Sequence, residues 1–152
     1  MSLKQLRQAG FLIARIYRIA GRVFEKRLKT YHLDEITPSQ GRILFALWQG
    51  DDISIRQLAE KTSLSKSTLT AMLDKLEDAG HIRRAHSRKD RRKIHIQLTE
   101  KDRFLETSYI GVSEEMTEIC YQGFTPAEMD QFEALLAKIL ENLQREEKED
   151  ES

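Results

Sequence analysis

A single cysteine, Cys120, leaves no partner for an internal disulfide and no thiolate set for a multi-cysteine metal site. Two prolines and seven glycines are too few to interrupt the chain often, so a mostly helical fold is expected. No apolar run approaches the ~20 residues that cross a bilayer, and Met1-Ser2-Leu3-Lys4-Gln5 lacks the apolar core of a signal peptide. A soluble cytoplasmic protein with no membrane partner is the expectation. The four histidines, His32, His81, His86 and His95, have neither metal-like nor triad-like spacing, and no acid, base and nucleophile converge. No enzyme, catalytic residue, metal or cofactor is therefore expected. His81, His86 and His95 read as surface histidines.

At 152 residues the chain is the size of one domain, or of a compact domain with an extension, long enough to bury a core. Its zero net charge hides a sorting of charge along the sequence. Residues 1–30 hold eight cations and one acid, residues 80–98 seven and one, and residues 99–152 five cations and fifteen acids. Local potential, not the average, governs attraction to a polyanion, so a neutral chain with such basic blocks remains a candidate for binding nucleic acid.

Apolar periodicity predicts a first helix over about 3–31, with Leu12, Ile16, Ile19 and Val23 on one stripe and Ile13, Tyr17, Ala20 and Phe24 beside it. So broad an apolar arc suggests a partner subunit. Arg15, Arg18, Arg22, Lys26 and Lys29 line the other side. That stripe is a solvated face, a face paired with the acidic C-terminal helices, or a phosphate contact. Thr37-Pro38-Ser39-Gln40, Ser54-Ile55-Arg56-Gln57 and Thr125-Pro126-Ala127-Glu128 each place a hydroxyl three residues before Gln or Glu, the pattern of a capping box, and two of them add proline at the first helical position. Helices follow over 38–48 and 55–61, and after Thr62-Ser63-Leu64 a longer one over 65–79, stopped by Gly80. Short helix, tight turn and longer helix make a helix-turn-helix. Gly50-Asp51-Asp52 reads simply as the stop after the helix over 38–48.

Ile82 opens a strand, and Ile94, Ile96 and Leu98 alternate with His95 and Gln97 in a second, forming an amphipathic hairpin. Its loop carries His86, Arg88, Lys89, Arg91, Arg92 and Lys93 against one acid, Asp90, a density that self-repels unless it meets a polyanion. Asp90 is expected to tie down Arg92 and shape the tip. Residues 100–122 and 126 onward read as two further helices, with Thr99 capping through Asp102 and the run Glu146–Glu151 fraying. In the second of them, Met129, Phe132, Leu136, Ile139 and Leu143 recur at spacings of three and four, a seam for packing helix on helix. A helix fits the major groove, and its first turn offers free N–H groups and a positive dipole end, so Ser65, Lys66, Ser67 and Thr70 are candidate DNA contacts, Ser65 being an N-cap as well. Arg88, Lys89, Asp90, Arg91 and Arg92 form the second group, from which an arginine can enter the minor groove.

Ile36-Thr37-Pro38-Ser39-Gln40, Leu69-Thr70-x-Met72-Leu73-Asp74-Lys75-Leu76-Glu77, Gly80-His81-Ile82-x-Arg84, and Asp90-Arg91-Arg92 followed by Leu98-Thr99 resemble the multiple antibiotic resistance regulator (MarR) family over nearly the whole chain. The resemblance implies a winged helix-turn-helix DNA-binding domain over 37–99, flanked by an N-terminal dimerisation helix over 1–36 and C-terminal dimerisation helices over 100–152. It implies a homodimeric repressor of a palindromic operator on double-stranded DNA, released in many relatives by a small, often aromatic or phenolic effector. Ser65, Ser67 and Thr70 would be recognition-helix contacts, and Asp90 with Arg92 the wing pair. Two positions depart from the family pattern. Ala71 stands where relatives often have arginine, and Gly41 replaces a bulky residue, which is expected to open space near the ligand region. The family's one-cysteine peroxide sensors carry their thiol in the first helix, whereas Cys120 lies in the penultimate one. A thiol switch through Cys120 and a winged-helix module for protein interaction are the alternative readings.

Overall fold

The computed structural model describes residues 2, 6–33 and 35–152, apart from the side chain of Phe104. They form α1 (Ala9–Thr30), α2 (Pro38–Trp48), α3 (Ile55–Thr62), α4 (Lys66–Asp78), β1 (Ile82–His86), β2 (Ile94–Leu98), α5 (Glu100–Cys120) and α6 (Pro126–Asp150). The fold is mainly α with one antiparallel hairpin. Residues up to 113 make one compact unit and residues 114–152 another. The expected first helix extends too far at its start: Leu6–Gln8 are not helical, and Leu3–Gln5 lie outside the described residues.

All three capping boxes form. The Thr37, Ser54 and Thr125 hydroxyls accept from the N–H groups of Gln40, Gln57 and Glu128 at 3.1 Å each. The Gln and Glu side chains in turn accept from the cap N–H groups. Each cap satisfies donors that a helix start leaves open, worth about 1 kcal/mol. Between α3 and α4 the chain turns through Ser63 at φ 55°, and Gly80, at φ 86°, ends α4 with its N–H on the Glu77 carbonyl (2.9 Å) and that of His81 on Leu76 (3.0 Å). A positive φ of this kind favours glycine.

Leu44, Leu47, Leu58, Leu69, Leu73, Leu76, Ile82 and Ile96 are buried together, which pins α2, α3, α4 and the hairpin around one core. Burial of each such side chain contributes about 1.5–3 kcal/mol. The hairpin pairs Ile82 with Leu98 and His86 with Ile94, and an isolated bridge joins Ile53 to Ile96. Its faces differ from the alternation expected. Gln97 is buried and His95 half-buried, whereas Ile94 is exposed, because the Asp51-Asp52-Ile53 corner covers the face read as solvated.

Thr99 does not cap α5 with its side chain: its hydroxyl donates to the Gly80 and His81 carbonyls at 2.6 and 3.2 Å. Asp102 is buried instead, one oxygen accepting from the Trp48 indole N–H and the other without a partner among the described residues, and burial raises its pKa to about 6. One turn further, Leu105, Tyr109 and Val112 face the core. The Tyr109 ring packs edge-on against Phe24 (5.4 Å between centroids) and tilted against Trp48 (4.9 Å). Gly41 opens no space, contrary to expectation, because that ring fills it: a Cβ on Gly41 would lie 2.1 Å from the Tyr109 Oη.

In the second unit Tyr121, Phe124 and Phe132 meet edge to face, and the Tyr121 hydroxyl donates to Glu133 at 2.8 Å. α5 ends at Cys120, two residues short of the expected stop, and α6 continues to Asp150 rather than fraying at Glu146. Glu, Lys, Arg and Gln are good helix formers, and the Ser152 hydroxyl closes the end on the Lys148 carbonyl at 3.0 Å.

Candidate nucleic-acid interface

The amphipathic pattern of α4 decides which of its side chains meet solvent. Leu69, Leu73 and Leu76 are sealed into the core, so Ser65, Lys66, Ser67 and Ala71 are exposed, with Thr70 half-buried. The Ser65 oxygen accepts from the Thr68 N–H at 3.3 Å and lies 2.9 Å from the Thr68 hydroxyl, so Ser65 is the N-cap. Thr70 donates its hydroxyl to the Lys66 carbonyl at 2.8 Å and retains oxygen lone pairs. The result is a helix start with small polar side chains, a lysine and a positive dipole end.

The wing loop is built rather than slack. The Ser87 N–H bonds the Lys93 carbonyl (2.8 Å), that of Lys93 bonds Asp90 (3.1 Å), and the buried Ser87 hydroxyl oxygen accepts from the N–H groups of Lys89 and Asp90. Asp90 takes Arg92 through Nε at 3.0 Å and Nη2 at 3.1 Å, besides the Arg92 N–H at 3.1 Å. The expected pair therefore forms. The Arg92 side chain hydrogen bond holds the Asp90 carboxyl below its ordinary pKa, although Arg92 itself stays 89% exposed. Lys89, Arg91 and Lys93 are exposed around it.

Three residues that the sequence reading named only as part of a motif or as a helix stop, with no role in the site, hold this assembly in place. Arg84 on β1 reaches back to α4, its Nη1 to Glu77 at 2.9 Å and its Nη2 to Asp74 at 2.8 Å, while its N–H donates to the other Glu77 oxygen at 2.8 Å. The spacing between Asp74-x-x-Glu77 and a strand arginine just past the Gly80 stop was a usable signal. Asp51 and Asp52 anchor the wing base. Asp52, at φ 60°, sends its N–H to the Ile96 carbonyl (2.8 Å), and its carboxylate accepts from Gln97 at 3.0 Å and from the Arg88 N–H at 3.1 Å. The Gln97 bond is the largest influence lowering its pKa. Asp51 engages the Arg88 guanidinium at 3.0 and 3.4 Å. An acid pair just ahead of a hairpin rich in cations was the only hint in the sequence.

His81 and His95 correct the surface reading. His81 is buried with Nδ1 unpartnered among the described residues, and that burial lowers its pKa, while the His95 Nδ1 sits 2.7 Å from the Asp52 carbonyl oxygen. His86 alone of the three is exposed. Among the described residues, no group of His, Cys, Asp and Glu is arranged to hold a metal ion, and no helix is long and apolar enough to cross a membrane. Cys120 is exposed at the end of α5. On α1, Arg15, Arg18 and Arg22 are exposed, Arg15 lying 5.6 Å from the Phe11 ring centroid. An open cleft of about 440 Å³ separates α1 and α2 from the α3–α4 turn, lined among others by Tyr17, Arg42, Phe45, Gln49 and Lys61. The Arg42 guanidinium lies 4.7 Å from the Tyr17 ring centroid and donates to its hydroxyl at 2.9 Å.

Comparison with known proteins agrees with this geometry. The MarR family model matches residues 36–94. The HTH-type transcriptional regulator TtmR of Methylorubrum extorquens is 37% identical over 86 residues, 57% of this chain and 43% of TtmR, so the chain spans less than half of that relative. The HTH-type transcriptional repressor MdtR of Bacillus subtilis is 31% identical over 124 residues, covering 80% of this chain and 79% of MdtR. A mutant MarR from E. coli, solved in complex with operator DNA, superposes with a TM-score of 0.76 at 25% identity, over 92% of this chain and 96% of that one. A capped helix, α4, with solvent-facing polar side chains and tied to a cationic wing, together with these likenesses, establishes that the chain belongs to the MarR family of DNA-binding transcriptional regulators.

Proposed function

We propose that the chain acts as a homodimeric repressor of a palindromic operator, and that its role is binding rather than catalysis. The observation that carries this reading is the Arg84 clamp: by tying β1 to Asp74 and Glu77 of α4, it makes the recognition helix and the wing one rigid reading head. Ser65, Lys66, Ser67 and Thr70 enter the major groove, while Arg88, Lys89, Arg91 and Arg92, with Asp90 shaping the tip, follow the adjoining backbone and minor groove. MdtR is a repressor, which supports the same sign of regulation here.

Dimerisation is supported by what a single chain leaves uncovered. Phe11, Leu12, Ile16 and Ile19 of α1 and Leu136, Ile139, Leu140 and Leu143 of α6 are exposed, and α6 buries no residue at all. Long apolar stripes of this size call for a partner. In this reading residues 37–99 bind DNA, and residues 1–36 with 100–152 join the two copies. The Tyr17–Arg42 cleft, apolar with cations at its edge, suits a small aromatic or phenolic acid that releases the operator, consistent with a cytoplasmic regulator answering a metabolite.

The test is selection of duplexes from a random library by the purified chain, with light scattering on the complex. An inverted repeat bound by two copies is expected. A folded monomer at micromolar concentration, or enrichment of no symmetric sequence, would contradict the reading.

A further inference from the structure

Arg88 of the wing loop has both its guanidinium and its backbone N–H bonded to carboxylates of the Asp51–Asp52 corner ahead of the hairpin. Its N–H is held by Asp52 at 3.1 Å, and its Nη1 and Nη2 meet the two Asp51 oxygens at 3.0 and 3.4 Å. Asp51 is itself fixed, since one of its oxygens accepts the Leu98 N–H of β2 at 2.8 Å. The Asp51 side chain is 21% exposed and that of Arg88 52%. A guanidinium carries five N–H groups, and an end-on pair with a carboxylate uses two, leaving three donors and half of the side chain open to a ligand.

We propose that Asp51 is a positioning residue for DNA binding, which holds the Arg88 guanidinium ready at the wing base so that its remaining donors meet a backbone phosphate. The proposal rests on the reading that the wing engages DNA. A free arginine loses rotamer freedom when it binds a phosphate, whereas one already held by a carboxylate has less to lose. Point-charge reasoning gives the opposite sign for Asp51, because a carboxylate near a polyanion repels it. The two views therefore differ in the direction of a single measurement.

The experiment uses the full chain and a fluorescent duplex that the parent has selected from a random library. Affinities are measured by anisotropy for the parent, Asp51→Asn, Arg88→Ala, their double mutant, Arg88→Lys and Arg92→Ala, with thermal unfolding of each. Asparagine keeps an oxygen for the Leu98 N–H and loses the charge that holds Arg88. Asp51→Asn is expected to bind roughly three- to tenfold more weakly although a negative charge has gone, and Arg88→Ala roughly five- to hundredfold more weakly. The double mutant is expected to bind no more weakly than Arg88→Ala alone. Arg88→Lys, which keeps the charge but not the fork, should also lose affinity, and this arm stands even where Asp51→Asn fails to unfold cooperatively. Parent-like or tighter binding by Asp51→Asn, an equal loss in the Arg88→Ala background, or parent-like Arg88→Lys overturns the proposal. If neither Arg88→Ala nor Arg92→Ala moves affinity, the wing does not touch DNA, and the reading beneath the proposal fails instead.

Discussion

Adding one methyl group at Gly41 sets two effects of opposite sign against each other. Within α2, alanine is favoured over glycine by about 1 kcal/mol through backbone entropy. The new Cβ, however, would stand 2.1 Å from Oη, 2.6 Å from Cζ and 2.7 Å from Cε2 of Tyr109, where real Cβ atoms keep beyond 3.0 Å. Tyr109 has nowhere to retreat, being 4% exposed and wedged between Phe24 and Trp48. Overpacking of a dense core costs typically 1–3 kcal/mol, and an overlap of this depth with a trapped ring belongs at the upper end or beyond. Gly41→Ala is therefore expected to lose about 1–2 kcal/mol net. At about 2–4 °C per kcal/mol for a chain of this size, the midpoint of thermal unfolding by circular dichroism falls by about 2–8 °C. Gly111→Ala is the matched control: its Cβ would meet Tyr31 Cε1 at an ordinary 3.5 Å within α5, so there the propensity gain should prevail and the midpoint rise slightly. A Gly41→Ala midpoint equal to or above that of the parent would refute the packing argument.

Asp102, whose folded pKa of about 6 exceeds the 3.8 of an unperturbed aspartate, favours the fold while protonated; that stability is complete below pH ~4 and is lost as pH rises through about 6. Asp102→Asn, which still accepts from Trp48, should flatten the fall in urea-unfolding free energy between pH 4 and 7 and be the more stable protein at pH 8, by on the order of 2 kcal/mol. His81 works from the other side: burial lowers its pKa below 6.5, so its contribution is lost as pH falls through 6.5 toward the folded value, and His81→Gln should reduce that acid sensitivity. Cys120→Ser should leave operator binding and its response to peroxide unchanged, because Cys120 lies at the far end of α5 from α4 in the chain; loss of peroxide-triggered release in the variant would establish the thiol switch instead.

The recognition unit was legible from local rules. Caps, prolines at first helical positions and a glycine stop act within four residues, so the starts of α2, α3 and α4 and the stop before β1 could be read from Thr37, Ser54, Ser65 and Gly80, whereas His86, read as the start of the loop, ends β1. The Asp90–Arg92 pair was equally accessible, since its partners are two residues apart. What escaped depends on contacts distant in sequence. Gly41 is 68 positions from the ring that fills its space, and Asp52 is 45 from the Gln97 that it turns inward. Alternation along β2 pointed to a polar face, but only the corner at Asp51–Ile53 makes that face an interior one. The end of α6 was misjudged for a different reason: a run without apolar residues signals lack of packing, yet high helix propensity sustains it.

The most direct test of the central claim, that the start of α4 and the tip of the wing read DNA together, is fluorescence anisotropy across a salt series with the selected operator and a mixed-sequence duplex. Arg92→Ala should weaken operator binding by about 1–3 kcal/mol with its thermal midpoint unchanged, as befits a side chain exposed at the loop tip. Lys66→Ala should weaken both duplexes alike and reduce the slope of log affinity against log salt by about one unit, the mark of a lost phosphate contact at the helix start. Parent-like affinity and slope in both variants would contradict the claim.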